Sequence, residues 1–549
     1  MTPRDTQQAR HDSPQTLQHR DRFAEVANTL EWLITAFILA FLFRSFVMEA
    51  FRIPTGSMAD TLMGAHFRLG CPECGYEYTH GFVPQRYNLP EDTSPSESVQ
   101  LPPVRCPSCG CVQHYHASDP ARALVYNGDR ILVLKCLYQF SAPKRWDVVV
   151  FKNPTNPTQN YIKRLVGLPG EMIEIVDGDL YIDGRIARKP PMVQEGLWMP
   201  IYDNDFQPMR PEQSTFNNNL RPWQMPFDLK ASQWTVDREH DPTRLHLDGP
   251  ADRPSVLTYG APSANDFQAS CAYNDLGMGN MPACGDLMVR FCVDFNAPTG
   301  QAGVTLTRYG IRYQGSVDAQ GRMEVAQITG DERSVLDSAD LKERPSGSPL
   351  LVKFSHADHQ LVLQVGRQRL VRDLDGSRSA AGGREGADPR VQIFGAGRLT
   401  IAHLAIFRDI YYTSQTPHYS RPFSHATEGR PFQLRADEFF VLGDNSPNSE
   451  DARWWPEPTT ATRGQRPPRA GVVPGDYLMG KALFVYWPGG FEFPWPKSIQ
   501  SFAETPDQPG PLRILQELMK LRWIPNVGKM RFIYGGSSPN MGLGAADSD

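Results

Sequence analysis

Charge of one sign is scarce in this chain: 56 Lys and Arg stand against 61 Asp and Glu, and no long basic run or aromatic-interleaved basic patch occurs. Nucleic-acid binding is therefore not expected. Helical periodicity is also scarce. Outside an N-terminal region and an amphipathic stretch from Pro511 to Trp523, apolar residues fall in short runs punctuated by 48 Pro and 45 Gly. The chain therefore reads as mainly β, with many turns and long irregular loops. At 549 residues, 40% hydrophobic and 21% charged, it has the composition of globular protein and room for two or three domains.

One apolar run is long. From Leu30 to Phe51 the sequence is dominated by Trp, Leu, Ile, Ala, Phe, Val and Met, around a charge-free core from Trp32 to Phe43. That core is shorter than the ~20 residues of a spanning helix, so crossing a membrane requires Arg44 to snorkel to the interface. A buried core helix and a cleaved signal peptide are the alternatives. A mostly polar leader precedes the run, and cleavage near Ala50 would fall just before a candidate site, which counts against a signal peptide. Arg4, Arg10, Arg20 and Arg22 in the leader (1–29) place the N-terminus in the cytoplasm and Ser57 just outside the membrane. The C-terminal stretch, with Arg513, Glu517, Lys520 and Arg522, is too charged to span and suits a membrane surface or packing against the protein.

Two short stretches carry candidate chemistry, Phe51-Arg-Ile-Pro-Thr-Gly-Ser-Met58 and Tyr161-Ile-Lys-Arg-Leu-Val-Gly-Leu-Pro-Gly170. A serine hydroxyl needs a base to become a nucleophile, and a desolvated lysine can serve without any histidine. Ile162, Leu165, Val166 and Leu168 are apolar neighbours that could dry Lys163. To work near neutral pH its pKa must fall by ~2 or more from ~10.4.

Ile53-Pro-Thr-Gly-Ser-Met58, Tyr161-Ile-Lys-Arg164 and Gly443-Asp-Asn-Ser-Pro-Asn-Ser-Glu-Asp-Ala-Arg453 occur in the order found in bacterial type I signal peptidases, and Gly480-Lys-Ala482 with Trp487-Pro488 resembles that family's closing strand. The resemblance covers about 25–68, 124–190 and 432–490. It implies a single-pass β endopeptidase of the bacterial inner membrane that removes signal peptides from exported pre-proteins on the outer face. In that reading Ser57 is the nucleophile and Lys163 the general base. The Ser57 amide and the Thr55 hydroxyl form the oxyanion hole, with threonine where many members have serine. Ser449 matches the serine that hydrogen-bonds the lysine amine, Asp444 the carboxylate that pairs with Arg164, and Asp451 with Arg453 a second supporting pair around Asn445. The same Gly-Asp-Asn-Ser-Pro sequence is also turn-forming on local grounds. Ile53, Pro54, Met58, Leu62, Tyr161 and Ile162 match the shallow pocket that accepts small side chains, and core packing is their alternative. No cofactor is implied for catalysis.

Two features depart from that family. Cys71-Pro-Glu-Cys-Gly75 and Cys106-Pro-Ser-Cys-Gly110 are knuckles with 31 residues between Cys74 and Cys106. That spacing favours a zinc ribbon (69–115) in which Cys71, Cys74, Cys106 and Cys109 hold a structural zinc, over a pair of disulfides. His66, His114 and His116 nearby read as loop histidines. Of the remaining five of the 9 cysteines, Cys271 and Cys284 could pair, and Cys292 reads as a buried strand thiol. The second departure spans 194–430. Leu287, Val289, Phe291, Val293 and Phe295 alternate, as do Leu350, Val352 and Phe354, then Leu361, Leu363 and Val365. These strands argue for a β-sandwich, weakly similar to a laminin-G or concanavalin-like jelly roll. It is read either as a binding module for carbohydrate or envelope polymer, or as a spacer that shields or positions the catalytic domain.

The expected organisation is thus a leader (1–29), a membrane helix (30–51), a catalytic domain in three parts (52–68, 124–193, 431–495) interrupted by the two inserts, and an extension (496–549). An inactive membrane-anchored scaffold using the ribbon and sandwich is the non-enzymatic alternative. A self-cleaving Ser/Lys repressor is a third reading, which lacks its DNA-binding element here.

Overall fold

The computed structural model describes residues 15–89, 101, 103–113, 125–214, 222–260, 265–274, 281–342, 348–376, 389–414, 424–457, 468–489 and 527–535, and of 15–24, 86, 87 and 527 the backbone only. The amphipathic stretch 511–523, the tail from 536, Arg4, Arg10, His114 and His116 lie outside the described residues.

The described residues are mainly β, with one long helix among them. Gln15–Leu42 is α-helical and passes through a π-helical turn, Phe43–Val47. Within it Glu25–Val47 has a mean hydropathy of 1.8 and the length to cross a membrane. Trp32, Phe37 and Phe41 stand exposed, covered by none of the described residues. The expected helix to Phe51 is corrected at its end: Met48–Arg52 is a strand, paired in register from Met48↔Leu134 to Arg52↔Arg130. Glu49 there lies 3.1 Å from Lys135, and such a charged pair favours water over an apolar layer.

That strand is the edge of an eight-stranded antiparallel sheet. Its order continues through Arg130–Leu134, Leu478–Trp487, Val148–Lys152, Asn160–Gly167, Glu438–Leu442 and Val473–Pro474, with Arg531–Phe532 beside Leu478–Trp487. The strands Asn160–Gly167 and Glu438–Leu442, which hold or lead into two of the three motif regions, are thus adjacent, whereas the strand leading to Ser57 is the sheet edge, with three strands between it and Asn160–Gly167. A small sheet of Met172–Val176, Asp179–Ile182, Arg185–Ile186 and Phe432–Gln433 flanks it. Asp177 and Gly178 make its hairpin turn, both at positive φ, 48° and 82°.

Residues from Met199 to Arg408 form a twelve-stranded sheet organised on two long partners, Leu287–Arg308 and Arg390–Arg408. They pair antiparallel from Leu287↔Arg408 to Thr307↔Arg390, with register shifts at Arg290/Cys292 and Phe295/Gly300. Bulges bend a strand and increase its twist, and the sheet folds back over itself. The Phe354 ring lies where a Cβ on Gly315 would come within 2.3 Å, so strands Leu350–Ala357 and Ile311–Asp318 stack face to face. The alternating residues point into that core: Val289, Phe291, Val293, Val352, Phe354, Leu361 and Leu363 are all buried. The cysteine knuckles join this core, since Cys71, Cys74, Cys106 and Cys109 belong to the same apolar cluster as Leu245, Leu257 and Val289. The two inserts are therefore one packed body.

Candidate active site

Ser57 and Lys163 meet. Lys163 Nζ donates to Ser57 Oγ at 2.7 Å, and the two residues are 4% (Lys163) and 9% (Ser57) exposed. The strand Asn160–Gly167 holds Lys163 inside the sheet opposite Val149, while Ser57 sits in the turn that follows Met48–Arg52. Leu165 and Val166 are fully buried and Ile162 packs on a cluster containing Ile53, Met58 and Leu62. This burial lowers the Lys163 ammonium to about 8, although Asp451, Glu450 and Asp444 act to hold it up. A proton can therefore leave this amine near neutral pH.

The next residue points the other way. Arg164 donates from Nε to Asp444 Oδ1 at 2.7 Å and from its terminal nitrogen to Oδ2 at 2.6 Å, a buried bidentate pair. Thr61 Oγ1 also donates to Asp444 Oδ2, at 2.6 Å, which ties the serine turn to the lysine strand. Arg453 is buried against Asp451 at 2.9 and 2.7 Å and reaches Thr413 O, Ser446 Oγ and Ser446 O. Asn445 grips the serine turn from behind: its backbone N–H donates to Ser57 O at 3.0 Å and its Nδ2 to Gly56 O at 2.9 Å.

Ser449 is a correction. Its expected hydrogen bond to the lysine amine is not made: its Oγ is buried with no hydrogen-bond partner among the described residues. The hydroxyl is packed against Gly443 instead, where an added Cβ would come within 2.1 Å of it and 2.5 Å of Ser57 O. Of the expected pocket residues, Met58 and Leu62 are wholly buried and Ile53 nearly so, behind the site in the core. Pro54 and Thr55 are exposed, and Tyr161 and Ile162 half-buried. Motif reading missed Trp455, whose ring packs edge-on to Phe151 at 5.9 Å and tilted to Tyr161 at 6.4 Å. It also missed Cys271 to Asn274, which reach Asn445 from the large insert. No local signal marks them, because nothing in a short window couples residues 171 apart.

The knuckles are equivalent turns. Gly75 N–H donates to Cys71 O at 2.8 Å and Gly110 N–H to Cys106 O at 3.0 Å, with φ of 77° and 74° at these glycines. Sulfur separations are 3.7 Å for Cys71 to Cys109 and 3.8 Å for Cys74 to Cys106. A tetrahedron with Zn–S bonds of ~2.3 Å has edges of about 3.8 Å, whereas a disulfide needs ~2.05 Å. The donor set fits a metal. The Cys271–Cys284 pairing is also corrected: Cys271 Sγ faces Asn445 Oδ1, Cys284 Sγ faces carbonyls of Asp286 and Asp409, and both are free thiols.

A family model described as signal peptidase, peptidase S26, matches residues 111–225 and 397–487, a span that holds Lys163 and the Gly443 motif but not Ser57. Signal peptidase I of Rickettsia canadensis is 29% identical over 161 residues, 29% of this chain and 44% of that protein. Signal peptidase I of Leptolyngbya laminosa is 38% identical over 81 residues, 12% of this chain and 39% of that one. Signal peptidase I V of Bacillus subtilis is 40% identical over 63 residues, 12% and 36%. The chain thus spans less than half the length of these relatives, and the likeness is to serine peptidases at a distance. Among solved structures, a carbohydrate-binding module CBM66 from Bacillus subtilis aligns at 10% identity over 34% of this chain and 93% of its own, with a TM-score of 0.20, too low to bear on ligand.

Proposed function

We propose that this chain is a membrane-anchored serine endopeptidase that removes signal peptides from exported pre-proteins, with Ser57 as nucleophile and Lys163 as general base. The observation that carries this reading is the 2.7 Å contact between two buried groups, Lys163 Nζ and Ser57 Oγ. The neutral amine accepts the hydroxyl proton as Oγ bonds to the scissile carbonyl carbon. The oxyanion is met by the Ser57 N–H and the exposed Thr55 hydroxyl. When the tetrahedral species collapses, the C–N bond breaks and the Lys163 ammonium returns its proton to the leaving amine. Water, deprotonated by the same amine, then attacks the acyl carbon, the bond to Ser57 Oγ breaks, and the Lys163 ammonium returns the proton to Oγ. Arg164, Asp444, Asp451 and Arg453 hold the strands and turn in register. Pro54, Tyr161 and Ile162 offer the apolar surface for small side chains of the substrate.

The apolar helix is read as a single anchor in the bacterial inner membrane, with the N-terminus cytoplasmic and the site on the outer face. Cys71, Cys74, Cys106 and Cys109 would hold a zinc ion whose four-thiolate shell leaves no open position, so its part is structural. The deciding measurement is cleavage of a pre-protein by the detergent-solubilised chain. Ser57→Ala and Lys163→Ala are expected to abolish it, and Lys163→Arg not to restore it, because a guanidinium stays protonated. Normal cleavage by Lys163→Ala would overturn the dyad.

A further inference from the structure

The loop Cys271-Ala-Tyr-Asn274 belongs to the large insert, yet its side chains end beneath the serine turn. Asn274 is buried, 5% exposed. Its Nδ2 donates to Asn445 Oδ1 at 2.7 Å, and its Oδ1 accepts from Asn445 Nδ2 at 3.0 Å and Asn448 Nδ2 at 2.5 Å. The two amides therefore face each other as a reciprocal pair. Asn445 Nδ2 spends its second hydrogen on Gly56 O at 2.9 Å, while the Asn445 backbone N–H holds Ser57 O at 3.0 Å. An amide has two N–H donors and one carbonyl, so this arrangement uses Asn445 in only one of its two flip states. Asn274 reinforces the state that Gly56 O favours, because a flipped Asn445 would set carbonyl against carbonyl at both Gly56 and Asn274.

The bond to Gly56 O has a consequence at the neighbouring atom. The carbonyl of Gly56 and the N–H of Ser57 lie in one planar trans peptide and point in opposite directions. Asn445 Nδ2, together with the Ala59 N–H at 3.0 Å, grips Gly56 O and so aims the Ser57 N–H away from them, where the proposed oxyanion forms. The loop is itself clamped. Tyr273 Oη donates to Ala65 O at 3.0 Å, Gly81 N–H donates to Tyr273 O at 2.8 Å, and His80 Nδ1 meets Ala272 O at 3.1 Å. The Tyr273 ring fills the place of a side chain at Gly56, where an added Cβ would come within 2.0 Å of Cε1.

We propose that Asn274 is a positioning residue for the peptidase, acting through the Asn445 amide to aim the Ser57 N–H at the oxyanion, so that the insert is part of the catalytic apparatus. This rests on the Ser57/Lys163 reading. A mis-aimed oxyanion donor weakens the transition state and leaves ground-state binding nearly intact. In the full-length solubilised chain, Asn274→Ala is expected to lower kcat ~10- to 100-fold with KM changed less than ~3-fold. Because Asn274 acts through Asn445, the Asn274→Ala/Asn445→Ala double variant is expected to be no slower than Asn445→Ala alone. Wild-type kcat in Asn274→Ala, or losses that multiply in the double variant, would overturn the proposal. Asn274→Ser, which also cannot bridge to Asn445, takes its place in both comparisons if the alanine variant fails to fold. A folded wild-type chain that cuts no pre-protein would instead sink the Ser57 reading itself.

Discussion

Lys163 suits the proposed role of base because it is poorly placed as a cation. Folding buries an amine whose surroundings hold its pKa at about 8, below the ordinary 10.5. Cleavage should then rise with pH to a plateau above about 8 and fall tenfold per pH unit well below it, as read from a kcat/KM profile. The stability consequence runs the same way with pH. The buried site disfavours the proton, so the penalty is absent above the unfolded value and complete below about 8, where it amounts to about 3 kcal/mol. Lys163→Met is therefore expected to be inactive and, at pH 7, more stable by about 1–3 kcal/mol, measured as a higher urea midpoint at unchanged slope. A destabilised Lys163→Met would mean that the amine is paired better than its burial suggests. Lys163 was legible in the sequence because its drying neighbours are its neighbours in the chain. The unpartnered Ser449 hydroxyl was not, since its bonding depends on how closely Gly443 lets two backbones approach.

At the scale of elements, the knuckles are the parts most fully written in local sequence. Each needs a glycine at positive φ after its second cysteine, and Gly75 and Gly110 supply it. Closing the four-sulfur cluster ties the hairpin His66–Gly70/Glu77–Gly81 to Val104–Arg105/Val112–Gln113. Natively purified protein should contain one zinc per chain, and Cys106→Ser should lose it with a fall in Tm, followed by metal analysis and thermal denaturation. Metal-free wild-type protein with an unchanged Tm would remove the metal from the account. Because Gly81 and His80 at the end of that hairpin hold the Tyr273 loop, metal loss should also slow cleavage. The strands of the large insert were equally legible from alternation. Their pairing was not, since Leu287–Arg308 and Arg390–Arg408 find each other across most of the insert through bulges that no periodicity announces.

Across the whole molecule, the large insert and the sheets that carry the candidate site are joined by buried charge. Arg308 of the insert is wedged between Asp286 and Asp179, the latter on the small sheet. Lys189, beyond that sheet, lies 2.5 Å from Asp358 and 2.9 Å from Asp409. These groups are almost wholly buried, and removing one member leaves a charge without compensation. Lys189→Met is expected to destabilise the chain by about 3–5 kcal/mol, and the described body to unfold in one calorimetric transition. Two well-separated transitions would show the insert to be an independent domain.

The sequence by itself determined the elements whose physics is local: the exposed apolar helix, the turn-forming motif loops, the cysteine knuckles and the alternating strands. Only the tertiary structure decided that the helix yields to a strand at Met48, that Ser449 stands unpaired, that both inserts share one core, and that Asn274 lies under Ser57. Those outcomes depend on contacts between residues far apart in the chain, whose geometry is set by packing and by the pairing of buried polar groups.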